Sequence, residues 1–296
     1  MLCNISVIVD CLITFEVRHS TPINTSLLPV LDRQTIESLA IALHESQRSR
    51  QQIRHISSRY PEVTLEDSYS IQRAWLQLRL AEGRIVKGHK IGLTSRAMQI
   101  ASQITEPDYG VLLDDMFFRD GADIPATRFV VPRVEVELAF VLAQPLRGPD
   151  VTLFEALSAT SYVVPALEII DARIEQFDRD TKAPRKVVDT IADNAASAGV
   201  VIGGRPVRPD AVDLRWCGAL LSKNGVIEES GLAAAVLNHP GNGVAWLANK
   251  LSLHGEELGV GEIVLGGSFT RPVAASAGDV FHADYGPLGS IALRFT

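Results

Sequence analysis

The sequence predicts an α+β fold in which an N-terminal helical region precedes a large mixed β-sheet or barrel. Up to Gly83, apolar side chains recur at helical spacing, and after Gly83 short segments rich in Val, Ile and Leu are bounded by Gly or Pro. Helices and strands do not alternate regularly in this second part, which argues against a parallel α/β sheet. No internal repeat or low-complexity linker interrupts the chain.

Two helices are predicted before Gly83. The first starts near Asp32, and the charged stretch after its apolar positions predicts that it continues to about Ser57. The second starts at Thr64, which forms a capping box with Asp67, and it ends at Gly83. The apolar positions are Ile36, Leu39, Ala40 and Leu43 in the first helix and Ile71, Ala74, Trp75 and Leu78 in the second.

Strands and short helices are predicted in the second part of the chain. Asn224-Gly225 accepts positive φ angles, so it predicts a hairpin between two of the strands. The predicted strands cover residues 84–93, 130–142, 161–170, 198–203, 213–222, 226–229, 262–267, 279–284 and 289–295, and two further helices start at a Thr152–Glu155 capping box and run from Pro240 to about Ser252.

The composition is that of a globular protein that acts on small molecules. The 296 residues are 46% hydrophobic, which is sufficient for a core and excludes a disordered chain. Lys and Arg number 28 against 35 Asp and Glu, a net charge of −7, and no dense Lys/Arg run appears. We therefore expect neither a nucleic-acid partner nor an anionic membrane surface. No apolar run approaches the roughly 20 residues of a spanning helix.

Cysteine usage predicts a cytoplasmic protein. Cys3, Cys11 and Cys217 show no CxxC spacing, so neither a disulfide framework nor a thiolate zinc site is indicated. Residues 1–30 are predicted to be an extension, either disordered or due to a mis-assigned start. They do not match an export signal, because no Lys or Arg precedes the apolar part and Asp10 interrupts it.

Three glutamates form the most informative pattern. Glu135 and Glu137 share one face of a predicted strand, an arrangement that by itself is also typical of a solvent-exposed strand. Glu168 lies in an otherwise apolar segment, where burying an unpaired carboxylate is costly. Three carboxylates without an obligatory cationic neighbour suit a hard divalent cation such as Mg²⁺. Cys or His ligands, which zinc favours, are not offered.

Lys90 is the second candidate for chemistry. Its neighbours are small or apolar, so partial desolvation is expected to lower its pKa toward the range of proton transfer. The alternative is a surface lysine, since Lys87 lies three residues away. Asp108 lies in a turn-like segment, residues 106–110, and a turn contact is its first explanation. His89, a lone histidine on a strand, is interpreted as structural.

Other motifs give weaker indications. The segments GVG at 259–261 and GGS at 266–268 fit neither a GxGxxG nor a Walker A loop, so nucleotide binding is disfavoured. A nucleophile motif with a Ser or Cys partner is not recognisable at His44, His239, His254 or His282. A basic patch is either a solvated loop or a binding site for a substrate carboxylate. It consists of Arg173, Arg179, Arg185 and Lys186.

Together these segments resemble the fumarylacetoacetate hydrolase superfamily, specifically its hydratase and decarboxylase branch. The resemblance extends from about Leu31 to Thr296, and only the first 30 residues fall outside it. The matching segments are KGHKIGLTS (87–95), EPDYG (106–110), VPRVEVELAFVL (131–142), PALEIIDAR (165–173), DNAASAGVVIGG (193–204), NHPGNGVAWLANKL (238–251), GGSFTRP (266–272) and ADYGPLGSI (283–291).

The resemblance implies a site and an architecture. The family's metal ligands fall on Glu135, Glu137 and Glu168, its active-site lysine on Lys90, and a further active-site acid on Asp108. The implied metal is Mg²⁺, with Mn²⁺ as an alternative. Residues 31–94 are expected to form the helical region, and residues 95–296 a catalytic, barrel-like β-roll of the fumarylacetoacetate hydrolase C-terminal type. A homo-oligomer built from dimers, up to a decamer, is also implied.

The implied function is metal-dependent hydration of an unsaturated 2-oxo diacid. The expected substrate is 2-oxohept-3-ene-1,7-dioate or its dienol, the product is 4-hydroxy-2-oxoheptanedioate, and the route is homoprotocatechuate or 4-hydroxyphenylacetate catabolism. Arg96 or the basic patch would bind the second carboxylate. The alternatives are a 2-oxo-3-enedioate decarboxylase of the 4-oxalocrotonate type, an acylpyruvate C–C hydrolase and a non-catalytic partner subunit.

Overall fold

Helices dominate between Arg33 and Ala81, and strands dominate after Ala81. The computed structural model describes residues 30–296, so the predicted extension lies, apart from Val30, outside the described residues. The helices are α1 (Arg33–Ser49), α2 (Ile56–Arg59), α3 (Leu65–Ala81), α4 (Arg96–Ala101), α5 (Leu153–Ala159), α6 (Val187–Ala192) and α7 (Gly241–Ser252). The strands are β1 (Val86–Gly92), β2 (Asp108–Leu113), β3 (Phe117–Arg119), β4 (Ala122–Ile124), β5 (Arg133–Leu142), β6 (Thr160–Ile170), β7 (Ser197–Ile202), β8 (Gly218–Lys223), β9 (Val226–Leu232), β10 (Ile263–Leu265), β11 (Val273–Ala274), β12 (Val280–Asp284) and β13 (Ser290–Phe295).

The strands form two mixed sheets. The larger has the order β2-β1-β10-β5-β6-β7-β3, with β11 also paired to β5, and the smaller has the order β4-β13-β12-β8-β9. Most neighbours are antiparallel, whereas β1–β10, β3–β7 and β4–β13 are parallel pairs. Only two residues separate β3 from β4, so the chain passes directly from one sheet to the other. The predicted α+β class, with helices before mixed sheets, is confirmed.

The two faces of the larger sheet pack against different partners. On β5, Val136 and Leu138 belong to the core shared with the smaller sheet, whereas Ala139 belongs to the core formed with α1 and α3. Because side chains alternate along a strand, Glu135 and Glu137 point to the same side as Ala139. The acidic residues of β5 therefore lie on the sheet face whose apolar part the N-terminal helices cover.

The first helix is shorter than the sequence predicts. It ends at Ser49, because Arg50 adopts a left-handed conformation with φ 58°, and the predicted continuation to Ser57 is wrong. The Ile53 N–H then donates to the Arg173 carbonyl at 2.9 Å, in an isolated bridge to the loop after β6. This pairing with a distant segment takes the backbone hydrogen bonds that a longer helix would have used.

Most short-range predictions after α1 are confirmed. Capping boxes start α3 and α5 as predicted, and Gly83, with φ 83°, follows the end of α3. Asn224 and Gly225 have φ angles of 53° and 82° and connect β8 to β9 in a two-residue hairpin. Within residues 30–296, none of the helices has both the length and the apolar character that crossing a membrane requires.

Two predictions fail near the starts of strands. The segment 106–110 was expected to turn, yet Asp108 begins β2, a strand with six buried residues that pairs with β1. Conversely, the predicted strand 213–222 begins only at Gly218, because Leu214–Trp216 is a 3₁₀-helix. Pairing with β1 outweighs local propensity at Asp108, whereas Asp213 starts the 3₁₀-helix by accepting the Arg215 N–H at 3.1 Å. The elements α4, α6, β3, β4 and β11 were not predicted.

Asp67 is expected to be the most costly capping residue to remove. Its buried carboxylate accepts the N–H groups of Val30 and Leu31 at 2.9 Å each, and both the N–H and the hydroxyl of Thr64. We expect Asp67→Ala to lower the free energy of unfolding in urea by about 2–3 kcal/mol. Glu155→Ala, at the equivalent position of an exposed capping box, should cost only about 0.5–1 kcal/mol. Equal losses of unfolding free energy in the two variants would contradict the importance of the buried Asp67 contacts.

Candidate active site

Two neighbouring strands bring the three glutamates together. In the antiparallel pair of β5 and β6, Glu135 lies directly opposite Glu168, and Glu137 lies two residues further along the same face. One carboxylate oxygen from each residue lies within 4.8 Å of the other two. The strand alternation predicts the shared face of Glu135 and Glu137, and the β5–β6 register seen in the structure adds Glu168 to them.

The cluster contains acceptor atoms that the protein does not satisfy. Glu137 accepts the Gly267 N–H at 2.8 Å through Oε2, which fixes its carboxylate. Glu168 is fully buried, and neither of its oxygens accepts a hydrogen bond from the described residues. Lys90 Nζ lies 3.4 Å from Glu168 Oε2 as its ion-pair partner. Glu168 thus keeps free lone pairs inside a water-poor site, where an unmet acceptor is costly.

Lys90 and Asp108 come from two adjacent strands. Lys90 lies on β1 and is buried, and Asp108 begins β2, opposite Gly92 of β1. A Cβ atom on Gly92 would lie 2.2 Å from Asp108 Oδ1 and 3.3 Å from Lys90 Nζ. Only glycine leaves room for the carboxylate and the ammonium there. The buried Asp108 Oδ1 has no hydrogen-bond partner among residues 30–296. Instead of making the expected turn contact, this oxygen lies in the site near Lys90.

The acidic groups raise one another's pKa values. Burial and then repulsion from Glu168 raise the pKa of Glu135 to about 8. The same two causes raise the pKa of Glu137 well above its usual range. Burial also raises the pKa values of Glu168 and Asp108, although Lys90 acts against this at both positions. The site therefore carries more carboxylate than its one lysine can compensate.

The pKa of Lys90 shifts in the direction opposite to the one expected from the sequence. Burial alone lowers the pKa of this ammonium, as predicted, but the surrounding carboxylates outweigh burial and raise the pKa above its usual value. Glu168 contributes most to the increase, followed by Asp108. The sequence shows the small neighbours of Lys90 but not the acids that the fold places around it.

The donor set suits a hard divalent cation. All three members are carboxylates, which Mg²⁺ and Mn²⁺ prefer over softer ligands. The unpartnered oxygens of Glu168 supply lone pairs that a cation would satisfy, and its charge would offset the repulsion among the three acids. The residues present therefore fit the cation that the sequence predicts.

A strained turn beside the site was not predicted from the sequence. Asn194, Ala195 and Ala196 all adopt left-handed conformations, with φ angles of 52°, 48° and 60°. The Asn194 side chain accepts the Val111 N–H at 2.8 Å and donates to the Val111 carbonyl at 3.0 Å, which holds β2 in place. Strain of this kind persists where the surrounding structure enforces it. The only local signal is the tolerance of asparagine for this region.

The predicted basic patch separates into different environments. Arg173 is buried, pairs through Nε with Asp193 and lies over the Trp75 ring at 5.5 Å. The solvated-loop interpretation is therefore wrong for this residue. Arg179 is exposed and pairs with Glu175. Three more arginine and lysine residues were candidates for binding the second substrate carboxylate. Arg96 and Lys186 are exposed, and Arg185 is largely buried.

His89 has a partner away from the glutamates. Its Nδ1 lies 3.1 Å from Glu262 Oε2. By strand alternation it points to the opposite face of β1 from Lys90. A cavity of about 480 Å³ lies beside His89, Glu262 and Arg147, and the three glutamates do not line it. This pairing agrees with the structural interpretation of His89.

Comparisons with known proteins agree over nearly the whole described chain. The family profile described as fumarylacetoacetate (FAA) hydrolase C-terminal matches residues 83–296. An Escherichia coli protein named 2-oxo-hept-4-ene-1,7-dioate hydratase is 63% identical over 266 residues, which cover 90% of this chain and 100% of that protein. A Comamonas testosteroni 2-hydroxyhexa-2,4-dienoate hydratase is 40% identical over 267 residues, 90% of this chain and 99% of that protein.

A solved structure extends the match to three dimensions. The 4-oxalocrotonate decarboxylase from Pseudomonas putida G7, complexed with magnesium and adipate, superimposes with a TM-score of 0.86 at 33% identity. The match covers 91% of this chain and 100% of that one. The family resemblance stated from the sequence motifs is therefore confirmed.

The metal-free protein is expected to lose stability as the pH rises. The pKa of Glu135 is raised from 4.5 to about 8, so the folded state binds a proton there more tightly than the unfolded state does. The resulting stabilisation of the fold is complete below pH 4.5 and is lost as the pH rises through about 8. In EDTA, Glu135→Gln should therefore be more stable toward urea than the wild type at about pH 8.5, with a smaller difference at about pH 5. Glu228→Gln, on exposed β9, should follow the wild type. If the stability of Glu135→Gln toward urea changed with pH as much as that of the wild type, the raised pKa of Glu135 would be contradicted.

Proposed function

The chain belongs to the fumarylacetoacetate hydrolase family, and on that premise we propose that it hydrates a seven-carbon unsaturated 2-oxo diacid with the aid of a divalent cation. It is an enzyme of the carbon–oxygen lyase class. The observation that carries the proposal is the cluster of Glu135, Glu137 and Glu168 beside the buried Lys90. A non-catalytic partner subunit would not need to bury these charges together.

The substrate assignment rests on the 63% identical relative. That protein is named for 2-oxo-hept-4-ene-1,7-dioate, whereas the motifs alone suggested the 3-ene isomer or its dienol. These isomers share one dienol. The 4-ene forms the dienol by losing a proton from C3, and protonation of the dienol at C5 gives the 3-ene. A site that exchanges protons at both carbons can therefore accept all three. The product is 4-hydroxy-2-oxoheptanedioate, formed in homoprotocatechuate or 4-hydroxyphenylacetate catabolism.

The three glutamates hold the cation in this proposal. Mg²⁺ is the expected ion and Mn²⁺ the alternative, because both accept carboxylate oxygens. When bound, the cation supplies Lewis-acid polarisation of the substrate's 2-oxo group, which makes the C3 protons more acidic and C4 of the conjugated ketone more electrophilic. The Gly267 N–H keeps the Glu137 carboxylate oriented, so the ligand set is arranged before the ion arrives.

Lys90 and Asp108 move the protons. The protonated Lys90 is a donor next to Glu168, and the unpartnered Asp108 Oδ1 is an acceptor on the adjacent strand. Asp108 takes the C3 proton of the 4-ene, and Lys90 delivers a proton to C5. Water then adds its oxygen to C4 and gives a proton to the neutral Lys90, while the protonated Asp108 returns its proton to C3. The net change is the addition of one water molecule.

Decarboxylation is the second candidate reaction. A relative 33% identical with a TM-score of 0.86 is a decarboxylase, and the same polarised ketone can act as an electron sink for carbon dioxide loss. An acylpyruvate hydrolase has less support. Such an enzyme is expected to use a His/Glu dyad, and the His89–Glu262 pair lies on the other face of β1 from Lys90.

We also expect a homo-oligomer built from dimers, up to a decamer, in the cytoplasm. The outward faces of β8 and β9 expose Leu220, Ile227 and Leu232, close in sequence to the exposed Trp216. Leu220, Ile227 and Leu232 lie on one face at the β9 edge of the smaller sheet, and an exposed apolar face of this kind is typical of a subunit contact.

The reaction class is tested by following two products in one assay. With 2-oxohept-4-ene-1,7-dioate and Mg²⁺, we expect metal-dependent loss of the absorbance of the conjugated forms, formation of the 4-hydroxy product and no carbon dioxide. EDTA should abolish the change, and added Mg²⁺ or Mn²⁺ should restore it. Stoichiometric carbon dioxide release would replace the hydratase by the decarboxylase.

Two variants separate metal binding from proton transfer. Lys90→Met should lower kcat by roughly 100- to 10,000-fold while calorimetry still detects Mg²⁺ binding. Lys87→Met, an exposed lysine on the same strand, is the matched control and should keep full turnover. Glu168→Gln should weaken Mg²⁺ binding by roughly tenfold or more. Unchanged turnover in Lys90→Met would remove its role, and unchanged affinity in Glu168→Gln would remove that ligand.

A further inference from the structure

Arg185 is a buried cation whose binding capacity the protein leaves partly unused. It lies near the end of the loop between β6 and α6, with its side chain 11% exposed. Its backbone N–H donates to the Gln176 carbonyl at 3.0 Å, which fixes the main chain. The guanidinium Nη1 atom is buried and has no hydrogen-bond partner in the described part of the chain. A buried unsatisfied donor on a charged group is costly unless a ligand completes it.

The acids closest to Arg185 already serve other groups. Asp193 Oδ2 lies 4.0 Å from Arg185 Nη1, too far for a hydrogen bond. That carboxylate accepts the Nε and backbone N–H groups of Arg173. Asp189, whose charge also acts on Arg185, accepts the N–H and hydroxyl of Ser57. Neither acid provides Arg185 with the two parallel hydrogen bonds that a guanidinium forms best.

The surroundings of Arg185 link it to the site. Asp193, whose Oδ2 lies 4.0 Å from Arg185 Nη1, is followed by Asn194. The Asn194 side chain accepts the Val111 N–H at 2.8 Å and donates to the Val111 carbonyl at 3.0 Å, and Val111 lies on β2 three residues after Asp108. The positive charge of Arg185 also acts on Asp108, where it opposes the increase in pKa that burial causes. The guanidinium therefore lies near the strand that carries Asp108.

We propose that Arg185 determines specificity for the diacid by binding the substrate carboxylate remote from the 2-oxo group. This inference rests on the proposed function for the orientation of the substrate, because the 2-oxo acid end lies at the glutamates. The far carboxylate then needs a cation that is desolvated and unsatisfied, and a planar guanidinium binds it in a bidentate manner. Among the predicted basic patch, Arg173 and Arg179 are already paired.

A matched pair of saturated ligands tests this subsite. Pimelate and heptanoate share a seven-carbon chain and differ only in the second carboxylate. Calorimetry on the full chain with Mg²⁺ should show tighter binding of pimelate. Arg185→Gln should weaken pimelate binding by roughly 10- to 100-fold and leave heptanoate binding unchanged. Arg185→Lys should restore part of the loss. Arg179→Gln, which removes an exposed arginine of the same loop, should bind both ligands as the wild type does.

Each other outcome overturns the inference. Equal weakening of both ligands by Arg185→Gln would mean that Arg185 only positions Asp108 or supports the fold, and thermal melting would separate these two. No weakening, or a wild type that does not prefer pimelate, would mean that Arg185 binds no second carboxylate. Failure of the proposed hydration is distinguishable, because loss of turnover with an intact, Arg185-dependent preference for pimelate would reject the reaction and keep the subsite.

Discussion

The structure depends on the burial of excess negative charge inside one sheet. Glu135 and Glu168 face each other across the β5–β6 pair, and Glu137 and Asp108 add to the same field. One lysine, Lys90, lies among them. Hydrophobic packing alone would favour apolar residues at these positions, since an unneutralised buried carboxylate costs more than a packed side chain. The arrangement is physically consistent when a divalent cation completes it, and that requirement connects the fold to the chemistry.

Several features of the backbone serve this charge cluster. Gly92 leaves room for Asp108 next to Lys90, and the Gly267 N–H orients Glu137. The left-handed turn at Asn194 holds β2 through Val111, and so holds the strand that carries Asp108. Of these features, the left-handed turn at Asn194–Ala196 stores local backbone strain, which the surrounding packing must compensate. The buried acids that repel one another in the metal-free fold are also the ones that form the ligand set, as expected where stability and activity compete.

Sequence patterns predict most of the acidic cluster, although the register that places Glu168 opposite Glu135 is seen only in the structure. Glu135 and Glu137 share a face by strand period alone, and the apolar neighbours of Glu168 indicate burial. The environment of Lys90 is not predictable in the same way, since its carboxylate neighbours come from three other strands. Asp108 follows the same rule: its local sequence favours a turn, and only pairing with β1 makes it a strand. The long-range contact of Ile53 likewise ends α1 early.

The central claim is that Glu135, Glu137 and Glu168 together hold one divalent cation. Anomalous diffraction from crystals of the full chain grown with Mn²⁺ tests it most directly, because the signal locates the metal without reference to activity. We expect a single strong peak at roughly 2.0–2.6 Å from an oxygen of each of the three carboxylates. No peak among these residues, or a peak elsewhere in the molecule, would contradict the account.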